Sequence, residues 1–166
     1  MGKKVKIDIR FDGFAAIAEE LDRFPGALKK AAMEAMEYSA ALVDVKLHKE
    51  MQKHERDFNS KAYGKHRTES TIMDGEKATA DGNIIEQKVG FNISHGGLPS
   101  VFLMYGTPRH YQPNMHRMHP GIAADKKLYN AIYGSNTRKQ LNKMQRSIFE
   151  SVLREYGGHW HGKHLD

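Results

Sequence analysis

The sequence predicts an α+β fold in one domain, with one long alanine-rich helix and shorter helices packed on a small, mainly antiparallel sheet. Three observations favour this class: a long stretch with apolar residues at steps of three and four, a second amphipathic stretch near the C-terminus, and strand-like segments around the hairpin signal Asp81-Gly82. A chain of 166 residues suits one domain with a real core. We expect that domain to span residues 1–158 with a mobile loop near 52–66, followed by a polar tail over 159–166.

The first predicted elements are a strand and two helices. Apolar and charged residues alternate from Val5 to Phe11, which indicates a half-buried strand. A short helix is expected between Phe14 and Phe24, and the long helix between Leu28 and Met51, with a length of roughly 36 Å at about 1.5 Å per residue. The face that we expect the long helix to bury comprises Leu28, Ala32, Met36, Ala40, Val43, Leu47 and Met51.

The middle of the chain alternates between irregular and ordered segments. Residues 52–66 are charged and lack periodicity, which is typical of a functional or disordered loop. Order is expected to resume near Ser70–Met73 and to continue into the hairpin around Asp81-Gly82. The apolar segment Val101–Tyr105 is compatible with a strand or a short helix, and we interpret residues 106–121 as a long loop rich in His and Met.

The C-terminal part of the sequence is predicted to be helical. One helix is expected over Lys126–Tyr133, an interruption over Gly134–Thr137, and then a final amphipathic helix capped by Gly157-Gly158. The apolar face of this final helix is expected to comprise Leu141, Met144, Ile148, Phe149, Val152, Leu153 and Tyr156.

The composition excludes several classes of protein. The chain has no cysteine, which rules out disulfides, thiolate catalysis and Cys-based zinc sites. No apolar run approaches the roughly 20 residues that span a bilayer, and the N-terminus lacks a signal-peptide core, so we expect a cytoplasmic product without membrane contact. A net charge of +6 favours a polyanion or an acidic protein surface as partner, although mild basicity also serves solubility alone.

The ten histidines of the sequence raise the hypothesis of a metal site. Two clusters stand out: His110, His116 and His119 in one loop, and His159, His161 and His164 at the C-terminus. Their spacing matches no recurrent metal motif, so we interpret them as polar residues at a subunit interface. The sequence also lacks a Gly-x-Ser-x-Gly motif and a Gly-rich phosphate loop. We therefore expect no enzyme, no catalytic residue, no cofactor and no metal site.

A basic cluster in and just after the 52–66 segment is the candidate contact with DNA or an acidic partner. Its members are Lys53, Arg56, Lys61, Lys65 and Arg67. Two aromatic residues, Phe58 and Tyr63, lie among them, as in segments that track a phosphate backbone. No helix-turn-helix or zinc-finger spacing occurs, so the predicted contact is non-specific and salt-dependent.

Two short motifs carry a resemblance to a known family. Tyr105-Gly106-Thr107 follows an apolar segment, and His119-Pro120-Gly121 precedes a predicted helix. They come after the alanine-rich helix, a Leu-x-x-Ser-Ile-like stretch at Arg67–Ile72 and the Val89-Gly90 pair. In this order, over roughly residues 12–133, the chain resembles the tail-completion family of long-tailed phages, a group of head-tail joining, minor tail component and tail terminator-like proteins.

The resemblance implies a structural role in a virion. It implies an α/β or α+β sandwich that assembles as a homo-hexameric ring in the neck or at the top of the tail tube. The ring would end tail-tube assembly and dock the tail to the filled head, with the tail-tube protein and head-completion or connector proteins as partners, and DNA would pass through its lumen. A head-completion or stopper ring is the alternative within this class. A small basic DNA-binding protein and a metal-dependent nuclease that uses the loop histidines are the alternatives from other classes.

Overall fold

Two long helices are the largest elements of the computed structural model, which describes residues 15–54, 72–73, 77–81 and 84–157. The α-helices in these ranges are α1 (Ala15–Asp22), α2 (Ala27–Met51), α3 (Leu98–Tyr105), α4 (Lys126–Tyr133) and α5 (Ser135–Glu155). The strands form two antiparallel pairs, β1 (Thr79–Asp81) with β2 (Ile84–Glu86) and β3 (His110–Gln112) with β4 (Arg117–His119). The predicted α+β class is confirmed. None of the helices in the described ranges is long and apolar enough to cross a membrane.

Some of the predicted elements lie outside the described residues. They are the strand over Val5–Phe11, most of the loop near 52–66 and the tail over 159–166. The described part divides into two compact units. The first comprises residues 43–54, 72–73 and 89–137, and the second comprises residues 15–42, 77–81, 84–88 and 138–157.

The core of the second unit is built by helices. It joins Ile17 and Leu21 of α1, alanines of α2, and an apolar group of α5 that consists of Phe149, Val152 and Leu153. The small alanine side chains allow close packing at this point. The strands β1 and β2 are mostly exposed, with only Ile85 half-buried among their six residues.

The buried face of α2 differs in part from the predicted stripe. From Met36 onward the predicted residues are buried, but in the first turns the buried positions are Ala27, Ala31 and Ala35. Leu28 and Ala32 pack at the margin of the core and are only half-buried. The prediction was therefore off by one residue at the N-terminal end of the helix, where alanines occur on adjacent faces.

The first unit buries the C-terminal turns of α2 together with α3 and α4. Leu47 and Met51 of α2 are fully buried, as is Leu128 of α4, while Leu103 and Met104 of α3 are nearly so. The Val101–Tyr105 segment is helical, and Pro99 in the first turn of α3 suits this because its fixed φ and missing N–H are tolerated there. An isolated antiparallel bridge pairs Ile72 with Phe91.

Two further predictions need correction. Residues 106–121 were interpreted as a loop, yet they contain the β3–β4 hairpin, in which His110 pairs with His119 and Gln112 with Arg117. The interruption predicted over Gly134–Thr137 is confined to Gly134, which has an extended ψ of 147°, and α5 begins at the next residue. Thr137 thus lies inside α5, where it is buried and donates a hydrogen bond from Oγ1 to the Asn130 carbonyl at 3.0 Å.

Candidate functional site

The two motifs noted in the sequence meet in space within the first unit. Thr107 and Ile122 form an antiparallel bridge in which each backbone N–H donates to the other residue's carbonyl, at 2.9 Å and 3.0 Å. The Thr107 hydroxyl also accepts from the Ile122 N–H at 3.0 Å. The segments Tyr105–Thr107 and His119–Gly121 therefore form one structural feature at the base of the β3–β4 hairpin, which we call the loop crossing.

The glycines of both motifs lie where the two segments touch. Gly106 has φ +72° and ψ 171°, and a Cβ there would lie 2.7 Å from the Ile122 carbonyl oxygen and 2.9 Å from the Ala124 nitrogen. Gly121 has φ +89°, and its Cβ would strike the Thr107 carbonyl oxygen and lie 2.9 Å from the Pro108 carbonyl carbon. Each glycine thus faces the backbone of the opposite segment. Only a residue without Cβ fits such a conformation and such an approach.

The histidine of the second motif completes the crossing. His119 Nδ1 accepts a hydrogen bond from the Gly121 N–H at 3.0 Å, which closes the turn through Pro120. Its ring stacks on that of His110, with centroids 5.0 Å apart and planes at 29°. His110 Nδ1 in turn donates to the Pro108 carbonyl at 2.9 Å. These contacts use the histidines to fix the backbone, and in the described ranges no group of three or more His, Asp or Glu side chains is arranged to hold a metal.

The hairpin beyond the crossing presents an exposed apolar surface. Tyr111, Met115 and Met118 are 54%, 58% and 47% exposed. Its tip is a 3-10 turn over Pro113–Met115, and His116 follows with φ 48°, the left-handed conformation that reverses the chain. We call residues 109–119 the hairpin surface. Large exposed apolar side chains grouped on one element are typical of a protein contact.

A charged cluster anchors the C-terminal side of the crossing. Asp125 caps α4 by accepting from the backbone N–H groups of Lys127 at 2.9 Å and Leu128 at 3.2 Å. Its other carboxylate oxygen lies 2.7 Å from His54 Nε2 and 3.0 Å from Lys53 Nζ. Burial raises the pKa of this carboxyl, but the hydrogen bonds from His54, Lys53 and the two amides outweigh burial and hold the pKa well below its usual range.

Three tyrosines form a cluster beside the crossing. The Tyr105 and Tyr129 rings meet edge to face at 5.9 Å, and the Tyr129 and Tyr133 rings lie 4.8 Å apart. The Tyr105 hydroxyl donates to the Tyr133 hydroxyl at 3.4 Å. The pKa of Tyr133 is raised, mainly by burial and to a smaller extent by this hydrogen bond. The first motif therefore continues directly into an aromatic contact between α3 and α4.

The predicted DNA-contact residues are not brought together by the described part of the chain. Lys53 is the one member of that group within the described ranges, and its ammonium lies 2.6 Å from a Glu50 carboxylate oxygen as well as near Asp125. The charge of the Lys53 ammonium is thus paired with acidic side chains of the same chain. Arg56, Lys61, Lys65 and Arg67 lie outside the described residues.

The sequence reasoning missed the hairpin surface, the tyrosine cluster and the Asp125 anchor. Of these, Asp125 had a readable signal, because Asp directly before an amphipathic stretch is a common N-cap. Comparisons with protein-family models, with curated proteins and with solved structures find no match for this chain.

Proposed function

We propose that this chain is a virion structural protein that forms a ring at the head-tail junction of a long-tailed phage. In this role it ends tail-tube assembly and docks the tail to the head. The observation that carries the proposal is the loop crossing. The two motifs on which the family resemblance rests, Tyr105-Gly106-Thr107 and His119-Pro120-Gly121, lie apart in the sequence and pack against each other through both glycines.

The chemistry of the site supports binding rather than catalysis. The polar groups at the crossing are engaged with backbone atoms, as Thr107 and His119 illustrate. The exposed side chains of the hairpin surface include one Tyr, two Met and two Arg, residue types that are enriched at protein interfaces, beside exposed His, Pro and Asn. The loop crossing thus forms a rigid base, and the hairpin surface that projects from it is apolar and basic. This arrangement is suited to a subunit of an assembly.

The positive charge fits a ring through which DNA passes. The chain carries 26 basic and 20 acidic residues, and a basic lumen wall would contact phosphates without sequence preference. Because Lys53 pairs within the chain, we assign this contact to Arg56, Lys61, Lys65 and Arg67. The partners that follow from the role are identical subunits, the tail-tube protein and a head-completion or connector protein.

The decisive experiment measures assembly in two stages. Native mass spectrometry and electron microscopy of the purified chain should reveal a closed homo-oligomer, with a hexamer expected. Phage particles produced without the protein should show tails of uncontrolled length and filled heads that lack tails. A chain that stays monomeric at high concentration and is missing from intact virions would overturn the proposal. Tight, sequence-dependent binding of duplex DNA by that monomer would instead favour a small basic DNA-binding protein.

A further inference from the structure

The two stacked histidines at the loop crossing are held in different tautomers when both rings are neutral. His110 Nδ1 lies 2.9 Å from the Pro108 carbonyl oxygen, which can only accept, so this nitrogen carries a hydrogen. His119 Nδ1 lies 3.0 Å from the backbone nitrogen of Gly121, whose N–H can only donate. The Nδ1 of His119 therefore carries no hydrogen while the crossing is closed, and the neutral His119 ring has its hydrogen on Nε2.

Protonation has unequal consequences for the two rings. A second proton on His110 binds to Nε2 and leaves the hydrogen bond to the Pro108 carbonyl in place. A second proton on His119 binds to Nδ1, where it points at the Gly121 N–H. Since an imidazolium ring has two donors and no acceptor, the hydrogen bond that closes the turn through Pro120 is then lost. A charged His119 ring is thus incompatible with the closed crossing.

The groups that face His119 in the hairpin add to this effect. In the antiparallel register His110 lies opposite His119, so protonation of both rings places like charges on two stacked rings with centroids 5.0 Å apart. Arg117 lies two residues before His119 on β4 and therefore on the same face of the strand. From Val89 to Ala124 the sequence contains no Asp or Glu, so no carboxylate of this segment compensates the charge. The charged or titratable side chains of the hairpin are Arg109, His110, Tyr111, His116, Arg117 and His119.

We propose that His119 is an acid-sensitive switch of the loop crossing, whose protonation breaks the turn through Pro120, separates Thr107 from Ile122 and releases the base of the hairpin. The inference does not depend on the proposed ring, because it rests on contacts within one chain. The crossing is stable at neutral and higher pH and loses stability as the pH falls, since the open crossing binds one more proton at this ring. Histidine side chains change charge between about pH 5 and 8, so the switch operates in this range.

Amide hydrogen exchange of the full chain tests the switch at the crossing itself. The Thr107 and Ile122 amides donate across the bridge, so they exchange when the crossing opens. After correction for the intrinsic exchange rate at each pH, their protection should fall roughly tenfold between about pH 7.5 and about pH 5.5, because a free histidine is then about ten times more often charged than neutral. The amide of Val152, in the buried part of α5, should keep its protection. Asp125 stays charged in this range, since hydrogen bonds hold the pKa of its carboxyl below the usual value.

Two matched variants assign the response to one ring. His119→Asn keeps an acceptor for the Gly121 N–H, because an Asn side chain bonds the backbone two residues on, but it does not titrate. The crossing amides of this variant should be equally protected at both pH values. His116→Asn removes another ring of the same hairpin, at a left-handed position with φ 48° that Asn tolerates, and should respond to pH like the parent.

The nitrogen NMR spectrum of the histidine rings gives an independent result. At neutral pH the Nδ1 of His119 should have the chemical shift of a nitrogen without hydrogen, and its protonation should coincide with the loss of protection at Thr107 and Ile122. A hydrogen on this Nδ1 at neutral pH overturns the proposal, as does unchanged protection in the parent. The same loss of protection in His119→Asn, or its disappearance in His116→Asn, also overturns it. If His119→Asn does not fold, the ring spectrum and the exchange of the parent chain still decide the outcome.

Discussion

Replacing Gly106 with alanine adds one methyl group at the point where the two motifs meet. The new Cβ would lie 2.7 Å from the Ile122 carbonyl oxygen and 3.3 Å from the Ala124 Cα. Both neighbours are backbone atoms of a segment held by the Thr107–Ile122 bridge, so they cannot swing away as a side chain tip would. The substitution also forces a residue with Cβ to keep φ at +72°.

The expected cost has two parts. Holding a residue with Cβ at φ +72° and ψ 171° costs about 1–3 kcal/mol, and forcing atoms into a filled space costs about 1–3 kcal/mol more. We therefore expect Gly106→Ala to lower the free energy of unfolding by about 2–6 kcal/mol, and Gly106→Val to cost more because its branched side chain needs further room. Native domains are stable by only about 5–15 kcal/mol, so the loss is a large fraction of the total.

The matched control is Gly26→Ala. Gly26 has φ +77°, close to that of Gly106, but a Cβ there would meet nothing within 4 Å. Both substitutions stiffen the unfolded chain to a similar extent, so the difference between them measures the crowding at the loop crossing together with the strain of a ψ of 171° at Gly106. Urea unfolding followed by circular dichroism, with unchanged m values, gives both free energies. If the two variants agree within about 0.5 kcal/mol, the close approach of the segments is not a constraint and the reasoning is refuted.

Three further predictions follow from other contacts. Asp125→Asn should keep the helix cap but lose the ionic contacts, which lowers the free energy of unfolding by roughly 1–3 kcal/mol near neutral pH. Because folding lowers the pKa of this carboxyl, the destabilisation should be full above about pH 4 and should shrink as the pH falls. An equal destabilisation at pH 7 and pH 3 would contradict this prediction. The buried Gln145 Nε2 donates to Ser39 Oγ at 3.0 Å, so Ser39→Ala should lower the free energy of unfolding by about 1–3 kcal/mol. Adding Gln145→Met should recover most of this stability, because the buried amide that lost its partner is then removed. Urea unfolding of the double-mutant cycle measures the coupling between the two positions. In the proposed ring, reversing the charges of Lys61 and Lys65 should leave assembly intact but reduce head-tail joining or DNA retention in a salt-dependent way, and normal particles would show that these two charges contact no partner.

The helices could be predicted from sequence because their periodicity is long and regular. The α2 prediction failed only in its first turns, where Ala31 and Ala32 are equally apolar and cannot distinguish adjacent faces. The face that is buried there is selected by the partner residues Ile17 of α1 and Phe149 of α5. The periodicity of the sequence thus predicted which residues form α2, whereas tertiary packing determines which face of its first turns is buried.

The hairpin could not be predicted for a different reason. A half-buried hairpin shows apolar and polar residues in alternation, but β3 and β4 are exposed along nearly their whole length and carry no such pattern. Its strands are brought together by the Thr107–Ile122 bridge at the base and by the left-handed His116 near the tip. The first of these links residues far apart in sequence, and His is not a residue that signals a turn on its own.

The structure gives one reason for the glycines of both motifs, Gly106 and Gly121. A Cβ on Gly106 would meet the segment that follows Gly121, and a Cβ on Gly121 would meet the segment that follows Gly106. The requirement is reciprocal, so neither glycine is explained without the other. The motifs Tyr105-Gly106-Thr107 and His119-Pro120-Gly121 therefore satisfy one structural requirement together, although they lie apart in the sequence. The packing of the two motifs fixes the base of the hairpin that lies between them. A projection with a fixed base loses less conformational entropy when it binds a partner.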